Sequence, residues 1–544
     1  MKLKWLLPAV AFLLCTMAGL RIRQYNQPHI GTTFPVSSKV VLNLVEGASQ
    51  SKPSRLEQTG VFLMSANAAR RALKSLQQRL KEELKNGGRI RCDDESACKW
   101  LGSTLETAGP ADADIIVSTV EAWPGEEASD AQDDSIDQTL SIHLPKEIPS
   151  KERLIAGCIY VGDQPISVTS LSTRRDHILA SNDLDAMVLA PLTKKSSQVR
   201  QISGQMGRSA DQVATDIEYS DALFVVQTVL KYGALASIAL MLFGRFMLAR
   251  LLIACVSFVM ITAGSSIFVL AAVPDFRGLF LAGVIGAVFS FVVWRSAAKS
   301  EMNVLLGCLL GDVIAGGYLG SFAGLGANPV IGARYYGVGN ELSALLFGAL
   351  IYLLPNKPIV SVVSVGCVAL FMGHPALGAN GGDMIAVLIG LVVYTALKGG
   401  RKTRLMAVVI TLAMACLVIW DAYFASESMQ SHLGRFVGVK GMGMAELVSS
   451  KLMAHFRLMT TSAWGISALL SLLWWGLRLK TAGRTLNLST AIGLCLFVFN
   501  DSGPVSLTLF TLASMLVEGP IIPADWWSKR VRPRSDTKID AQGQ

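Results

Sequence analysis

Four short segments of this chain carry residue types that could do chemistry together. The first is Ala327-Asn328-Pro329 followed by the run from Gly332 to Glu341, which contains Arg334, Tyr336 and Asn340. The second is Gly373-His374-Pro375 followed by Gly378 to Asp383, with Asn380 within it. The third is Ser431 to Phe436, with His432 and Arg435, and the fourth is Asn500-Asp501-Ser502-Gly503-Pro504. Two arginines, Arg334 and Arg435, suit bidentate capture of a phosphate or carboxylate. Glu341, Asp383 and Asp501 suit cation binding or general-base work, and His374 and His432 suit proton relay. The candidate catalytic set is therefore Glu341, Asp383, His432 and Asp501. The candidate binding set is Arg334, Tyr336, Asn340, His374, Asn380, Arg435 and Asn500. Each also has a plainer reading. Glycine-rich loops can simply turn the chain and let helices pack closely. Arg435 can pair with a lipid headgroup, and His374, beside a proline, can cap a loop. No resident metal or cofactor is assigned.

The elements that must position these loops are apolar. The chain has 544 residues, 51% hydrophobic and 16% charged, with mean hydropathy +0.45. Soluble proteins carry about 25% charged residues, so a soluble multidomain enzyme is excluded, as is a disordered chain. From about residue 221 to 528 we place eleven candidate spans, near 222–243, 249–272, 278–294, 303–320, 341–355, 358–373, 384–397, 404–420, 457–477, 486–500 and 504–519. Asp312 falls inside one of them, among glycines, and an ionisable residue at such depth is a transport or binding candidate. Glu518 sits at the end of the last span and reads as interfacial. The stretch 422–456 is amphipathic and reads equally as a surface-lying helix.

Ahead of the spans lie two other regions. Residues 1–20 (MKLKWLLPAVAFLLCTMAGL) have a basic start and one apolar run, as in a signal peptide or signal anchor. No small-x-small cleavage site follows, which favours an uncleaved anchor. Residues 21–220 are polar. They mix strand-like runs (39–45, 115–120, 154–161) with a helical stretch (66–85), as in a water-exposed α/β domain. Cys92 and Cys98 could close a small disulfide loop if that domain is exported; two unpaired thiols is the alternative.

The net charge is +9 with a pI near 9.0, which raises nucleic acid as a partner. Its distribution removes that reading. With the N-terminus inside, the inner loops hold Arg245, Arg250, Arg295, Lys299, Lys357, Lys398, Arg401, Lys402, Arg404, Arg478, Lys480 and Arg484, and residues 529–544 form a basic inner tail. The outer loops of the membrane region hold only Arg277, Arg334, Arg435, Lys440 and Lys451. This is the bias of the positive-inside rule. It puts both termini in the cytoplasm of a bacterial inner membrane, residues 21–220 outside, and all four polar segments on the external face. A short internal echo, NPVIGA and HPALGA, recurs from Pro329 to Pro375.

The membrane half resembles a group of bacterial polytopic membrane proteins marked by G-A-R-[FY]-Y-G-[IV]-G-N-E, G-A-N-x-G-G, H-[LI]-G-R and N-D-S-G. All four motifs stand here in that order, beginning at Gly332, Gly378, His432 and Asn500. The resemblance implies an architecture rather than a reaction. In that group the external domain looks like a divergent alkaline-phosphatase-type α/β domain. Here Lys39–Gly47 resembles its first strand, and Leu171–Arg175 with Ser181–Asp183 resembles scattered later pieces. Phosphatases of that type place several Asp and His ligands around metal. Here Glu46 stands where they have Asp, and no Asp-His-Gly follows the strand DQTLSIHLP, whose only candidate is His143. The domain's only histidines are His29, His143 and His177. The resemblance thus implies a degenerate, non-catalytic domain.

Three functions follow as expectations. The first is an envelope protein whose external face binds a phosphorylated lipid or lipid-linked glycan for transfer or handover, in the layout of membrane phosphoethanolamine transferases. The second is an ion-coupled transporter; its expected second polar cluster on the inner side is not visible in the sequence. The third is a scaffold or assembly subunit working with other envelope proteins. The expected partners are the lipid bilayer and, in the first case, the lipid-linked phosphate.

Overall fold

The computed structural model describes residues 8–17, 20, 32–33, 39–45, 61–86, 89–101, 115–120, 139–146, 154–161, 164–165, 168–170, 175–176, 179, 181–189, 199–201, 228–244, 247–253, 256–257, 298–317, 319–322, 325, 336–354, 357–425, 431, 443–478, 484–500 and 502–518. The expected span 278–294, most of 249–272 and the basic tail 529–544 lie outside them, as do Glu46, His29 and His177.

The strand-like runs of the polar region form strands because β-branched and aliphatic side chains can be buried on both faces of a central sheet. The strands in chain order are β1 (Thr32–Thr33), β2 (Lys39–Val45), β3 (Val61–Ser65), β4 (Ile90–Cys92), β5 (Ile115–Val120), β6 (Thr139–Pro145), β7 (Leu154–Val161), β8 (Gln164–Pro165), β9 (Val168–Ser170), β10 (Arg175–Asp176) and β11 (Val199–Gln201). The main sheet has the order β3-β7-β6-β2-β5-β4. β2, β4, β5 and β6 run parallel, while β7 is antiparallel to β6 and β3. A second sheet, β1-β11-β9-β10, is antiparallel. Val40, Leu42, Leu44 and Val45 of β2 are all buried, as its central position requires.

Helix α2 (Ala66–Lys85) covers the main sheet. Its Ala69, Ala72, Leu73, Leu76 and Leu80 form a buried stripe at helical spacing and share one core with α3 (Glu95–Leu101) and α4 (Ser181–Val188). The three strands and the helix expected from the sequence appear with the same bounds. Cys92 and Cys98 form a disulfide that joins the end of β4 to α3. The carboxylate of Asp94 accepts from the Ala97 and Thr119 backbone N–H groups at 2.7 and 2.5 Å and from the Thr119 hydroxyl at 2.6 Å. These bonds tie the start of α3 to β5.

His143 lies on β6, opposite Asn43 of β2. It is only 8% exposed, with Tyr160 edge-on at 5.5 Å. Burial pushes its imidazole down to about 4, from an ordinary 6.5. The unfolded chain therefore takes up a proton near 6.5 that the folded chain refuses until about 4. The stability from neutral His143 is complete above pH 6.5 and drains as pH falls to 4, by about 3 kcal/mol in all. Acid unfolding of the whole protein in detergent should accordingly show a transition of the α/β region in that window, shifted downward in His143→Phe. An unchanged transition in that variant would remove His143 as its cause.

The remainder is helical: α1 (Pro8–Met17), α5 (Thr228–Leu242), α6 (247–253), α7 (Ala298–Ala315), α8 (Asn340–Leu353), α9 (Pro358–Gly373), α10 (Gly381–Lys398), α11 (Arg401–Tyr423), α12 (Gly443–Thr461), α13 (Ala463–Arg478), α14 (Arg484–Phe499) and α15 (Gly503–Glu518). Among the described residues α10 and α11 are long and apolar enough to cross a membrane. A third span is added if Leu452–Thr461 and α13, bent by 89° at Ser462, count as one. The other apolar helices are shorter. Against eleven expected spans, of which 278–294 and most of 249–272 lie outside the described residues, length and composition support two or three among those described. The physical reason lies in the Gly-, Pro- and Asn-bearing loops, which cut into the apolar runs. Helices such as α9, α14 and α15 are left with 16 residues, about 24 Å of helix against a hydrocarbon layer of about 30 Å.

These helices share one large core. Gly390 of α10 approaches Ile492 of α14 so closely that a Cβ would stand 2.8 Å from the Ile492 Cα, and Gly348 of α8 likewise meets Ala513 of α15. The outward faces are also apolar. On α11, Leu405, Val408, Leu412 and Ile419 are more than half exposed, while Ala407, Ile410 and Met414 face inward. A soluble protein rarely leaves such a surface uncovered. Arg250 of α6 makes a two-pronged ion pair with Glu301 of α7, at 2.9 and 2.6 Å, so this cation has a packing role.

Candidate functional site

Backbone meets backbone where the loops between these helices come together. α7 ends at Gly316 and Gly317, both at positive φ (103° and 77°). A Cβ on Gly317 would lie 2.4 Å from the carbonyl carbon of Gly337, and one on Gly337 (φ 77°) would lie 2.4 Å from the Gly378 oxygen. The Val338 N–H donates to that same oxygen at 2.8 Å. Only glycine fits at 317 and 337, for its left-handed backbone and for its missing side chain. Three loops distant in sequence are thereby stacked.

Asp312 anchors the first of them. It is 1% exposed, and its two carboxylate oxygens accept from the Leu319 and Gly320 N–H groups at 2.8 and 2.9 Å. Those donors open a short 3-10 turn, Leu319–Phe322. The Asp312 carbonyl accepts from the Gly317 N–H at 2.7 Å. The transport candidate of the sequence is thus engaged as the cap of a broken helix.

Beside the stacked loops lies a buried polar network. The Asn340 side-chain amide donates to Asn500 Oδ1 and Ser502 Oγ, both at 2.7 Å. The Asn380 amide donates to Asp383 Oδ2 at 2.8 Å, and to Asn340 Oδ1 and the Val338 carbonyl at 3.1 Å. The Asn500 amide donates to Asp383 Oδ1 and to Ser506 Oγ. Asn380 and Asp383 are wholly buried and Asn500 nearly so. Three helices begin here: α8 at Asn340, α10 at Gly381 and α15 at Gly503. Asn380 caps α10, with its Oδ1 accepting from the Asp383 N–H at 3.2 Å. Helix N-termini carry partial positive charge and free N–H groups, so this convergence favours negative charge, and the buried Asp383 carboxylate stands within it.

Of the sequence candidates, Asn340, Asn380, Asp383 and Asn500 are therefore brought together. Glu341 is half-buried in the first turn of α8. Tyr336 is buried in the stacked loop. His374 closes α9: its Nδ1 accepts from the Ala376 N–H at 3.2 Å and its ring stacks on Trp420 of α11. Arg334, His432, Arg435 and Asp501 lie outside the described residues.

The structure adds residues that sequence reasoning passed over. Ser502 and Ser506 extend the network; Ser502 stands inside the N-D-S-G motif and was legible there. Asp421, at the end of α11, is 3% exposed and receives both the backbone N–H (2.9 Å) and the hydroxyl of Ser431. A second polar group gathers at the other ends of α8 and α15, roughly 20 Å along the helices. There Tyr352 faces Ser489 and Ser514, and Arg478 lies over Trp474 and reaches the Glu518 carbonyl. The Trp474 indole N–H is buried, with no hydrogen-bond partner among the described residues. Nothing in residues spread over four helices announces that they meet.

In the α/β region, among the described residues, no three His, Cys, Asp or Glu side chains stand close enough to hold a metal ion. Comparison with protein-family models, with curated proteins and with solved structures gives no match.

Proposed function

We propose that this chain is an integral membrane protein of the bacterial cell envelope, whose external face holds the phosphate of a phosphorylated lipid or lipid-linked glycan for transfer or handover. One observation carries the proposal: three helix N-termini and three asparagine side chains, from loops far apart in sequence, converge at one end of the helical bundle. Arg334, two residues before Tyr336, and Arg435, four past Ser431, supply the cations in this reading, and Tyr336, Asn340 and Glu341 are further binding candidates. Asp383 acts by fixing Asn380 and Asn500; its burial suits a positioning group better than a general base. His432 and Asp501 remain the candidate bases.

The placement in the membrane belongs to the same proposal. The shorter apolar helices count as spans, for about eleven after the anchor, with residues 21–220 outside and both termini in the cytoplasm. The inner-side bias of Lys and Arg supports it, as do the apolar outward faces of the helices. The Cys92–Cys98 disulfide supports an oxidising compartment for the α/β region.

The test is native mass spectrometry of the purified protein in detergent, with phosphatidic acid, phosphatidylglycerol and phosphatidylcholine as probes. Selective retention of the phosphomonoester lipid is expected, and its loss in Arg334→Gln/Arg435→Gln. Equal retention of all three lipids, or an unchanged envelope lipid and glycan profile in a strain carrying the double variant, would sink the proposal. A transport reading stands second, because the polar group around Tyr352, Arg478 and Ser489 supplies the inner cluster that alternating access needs.

A further inference from the structure

We propose that the N-terminal helix α1 is a permanent member of the helical bundle: it stays on the exported chain, seated in a groove that Gly307 and Gly311 cut into α7. The proposal is independent of the ligand assigned to the external face.

The fit is made by backbone. A Cβ on Gly307 would lie 2.6 Å from the Pro8 carbonyl oxygen, and one on Gly311 would lie 2.7 Å from the Phe12 carbonyl oxygen and 3.0 Å from the Cys15 Cβ. Pro8 and Phe12 are one turn apart, as are Gly307 and Gly311, so two turns of each helix run in contact. Small residues four apart are how membrane helices reach such a distance without a hydrophobic driving force. The remaining faces of α1 agree. Ala11 and Cys15 are buried in the same core as α7, and Cys15 stands against Cys308. Val10, Leu13, Leu14 and Met17 point outward and are 41–69% exposed, as a lipid-facing side requires.

Two consequences follow. Gly311 immediately precedes Asp312, so α1 braces α7 at the turn where the loop cluster of the external face begins. The α/β region lies in sequence between α1 and α5, and both helices put residues into one core, with Ala234, Ile238 and Met241 coming from α5. The region is therefore tethered at both ends, whereas cleavage after a signal peptide would leave one tether and an empty groove.

The experiment uses the full chain expressed in membranes, with a protease site inserted between residues 205 and 220. Intact mass of the purified chain is expected to include residues 8–17. After a thiol-specific bifunctional reagent and proteolysis, the two fragments should run as one band, and they should separate in Cys15→Ser or Cys308→Ser. Gly307→Leu/Gly311→Leu should abolish the crosslink; if that variant does not fold, the mass and crosslink of the wild-type chain decide. A mature chain beginning beyond residue 17 overturns the proposal. So does a retained N-terminus that gives no Cys15–Cys308 crosslink.

Discussion

Asp383→Leu is expected to destabilise the helical bundle by roughly 3 kcal/mol. The estimate rests mainly on the buried Asn500 amide, which would keep only Ser506 Oγ as acceptor, at a cost of about 1–3 kcal/mol. The Asn380 amide would fall back on Asn340 Oδ1 and the Val338 carbonyl, with longer bonds. Loss of a carboxylate from the first turn of α10 adds about 0.3–1 kcal/mol. One effect opposes these. Removing a charge from a buried site relieves desolvation, which can amount to several kcal/mol. We expect the loss to win, because amide hydrogens and a helix N-terminus replace water around this carboxylate, and leucine would leave an Asn500 amide hydrogen without its acceptor. Asp383→Asn is nearly isosteric and keeps one acceptor oxygen, so its cost should fall between leucine and wild type. Thermal unfolding of the solubilised protein, followed by tryptophan fluorescence, gives the ranking. If both variants unfold within about 0.5 kcal/mol of wild type, the network is not the keystone of the loop cluster.

The sequence pattern reached the network's members but not their partners. Asn340, Asn380 and Asn500 stood out because each lies in a Gly- or Pro-bearing segment that breaks an apolar run. Their meeting could not be read, since α8, α10, α14 and α15 are apolar nearly all round and carry no periodicity that says which faces touch. The same uniformity hid the group at Tyr352, Ser489 and Ser514. It also hid the boundaries of the spans, because a broken helix and a whole one are equally apolar. In the α/β region the opposite held: β2, β5 and β7 are runs rich in Val, Ile and Leu bounded by polar residues, and their limits were plain. His143 was visible as a titratable residue on a strand, yet its burial depends on the Tyr160 side chain of the neighbouring strand.

Asp312 separates the structural and transport readings most sharply. Each of its carboxylate oxygens is matched to one backbone N–H, from Leu319 and Gly320. An asparagine at 312 could satisfy one of them and would turn its own amide hydrogens toward the other. Asp312→Asn should therefore cost about 1–3 kcal/mol as one buried donor loses its acceptor, and Asp312→Ala roughly twice that. The 3-10 turn would loosen, and with it the seat of Gly317 against Gly337. If Asp312 instead carries a coupling proton or cation, Asp312→Asn should fold with wild-type stability and lose only ion-driven uptake in proteoliposomes. The decisive comparison is thus stability against uptake in the same variant. A fall in unfolding temperature that tracks the number of lost acceptors assigns Asp312 to the loop architecture. Full stability with abolished uptake would favour the transport reading over the proposed phosphate site, with the Tyr352 and Arg478 group at the opposite end of the path.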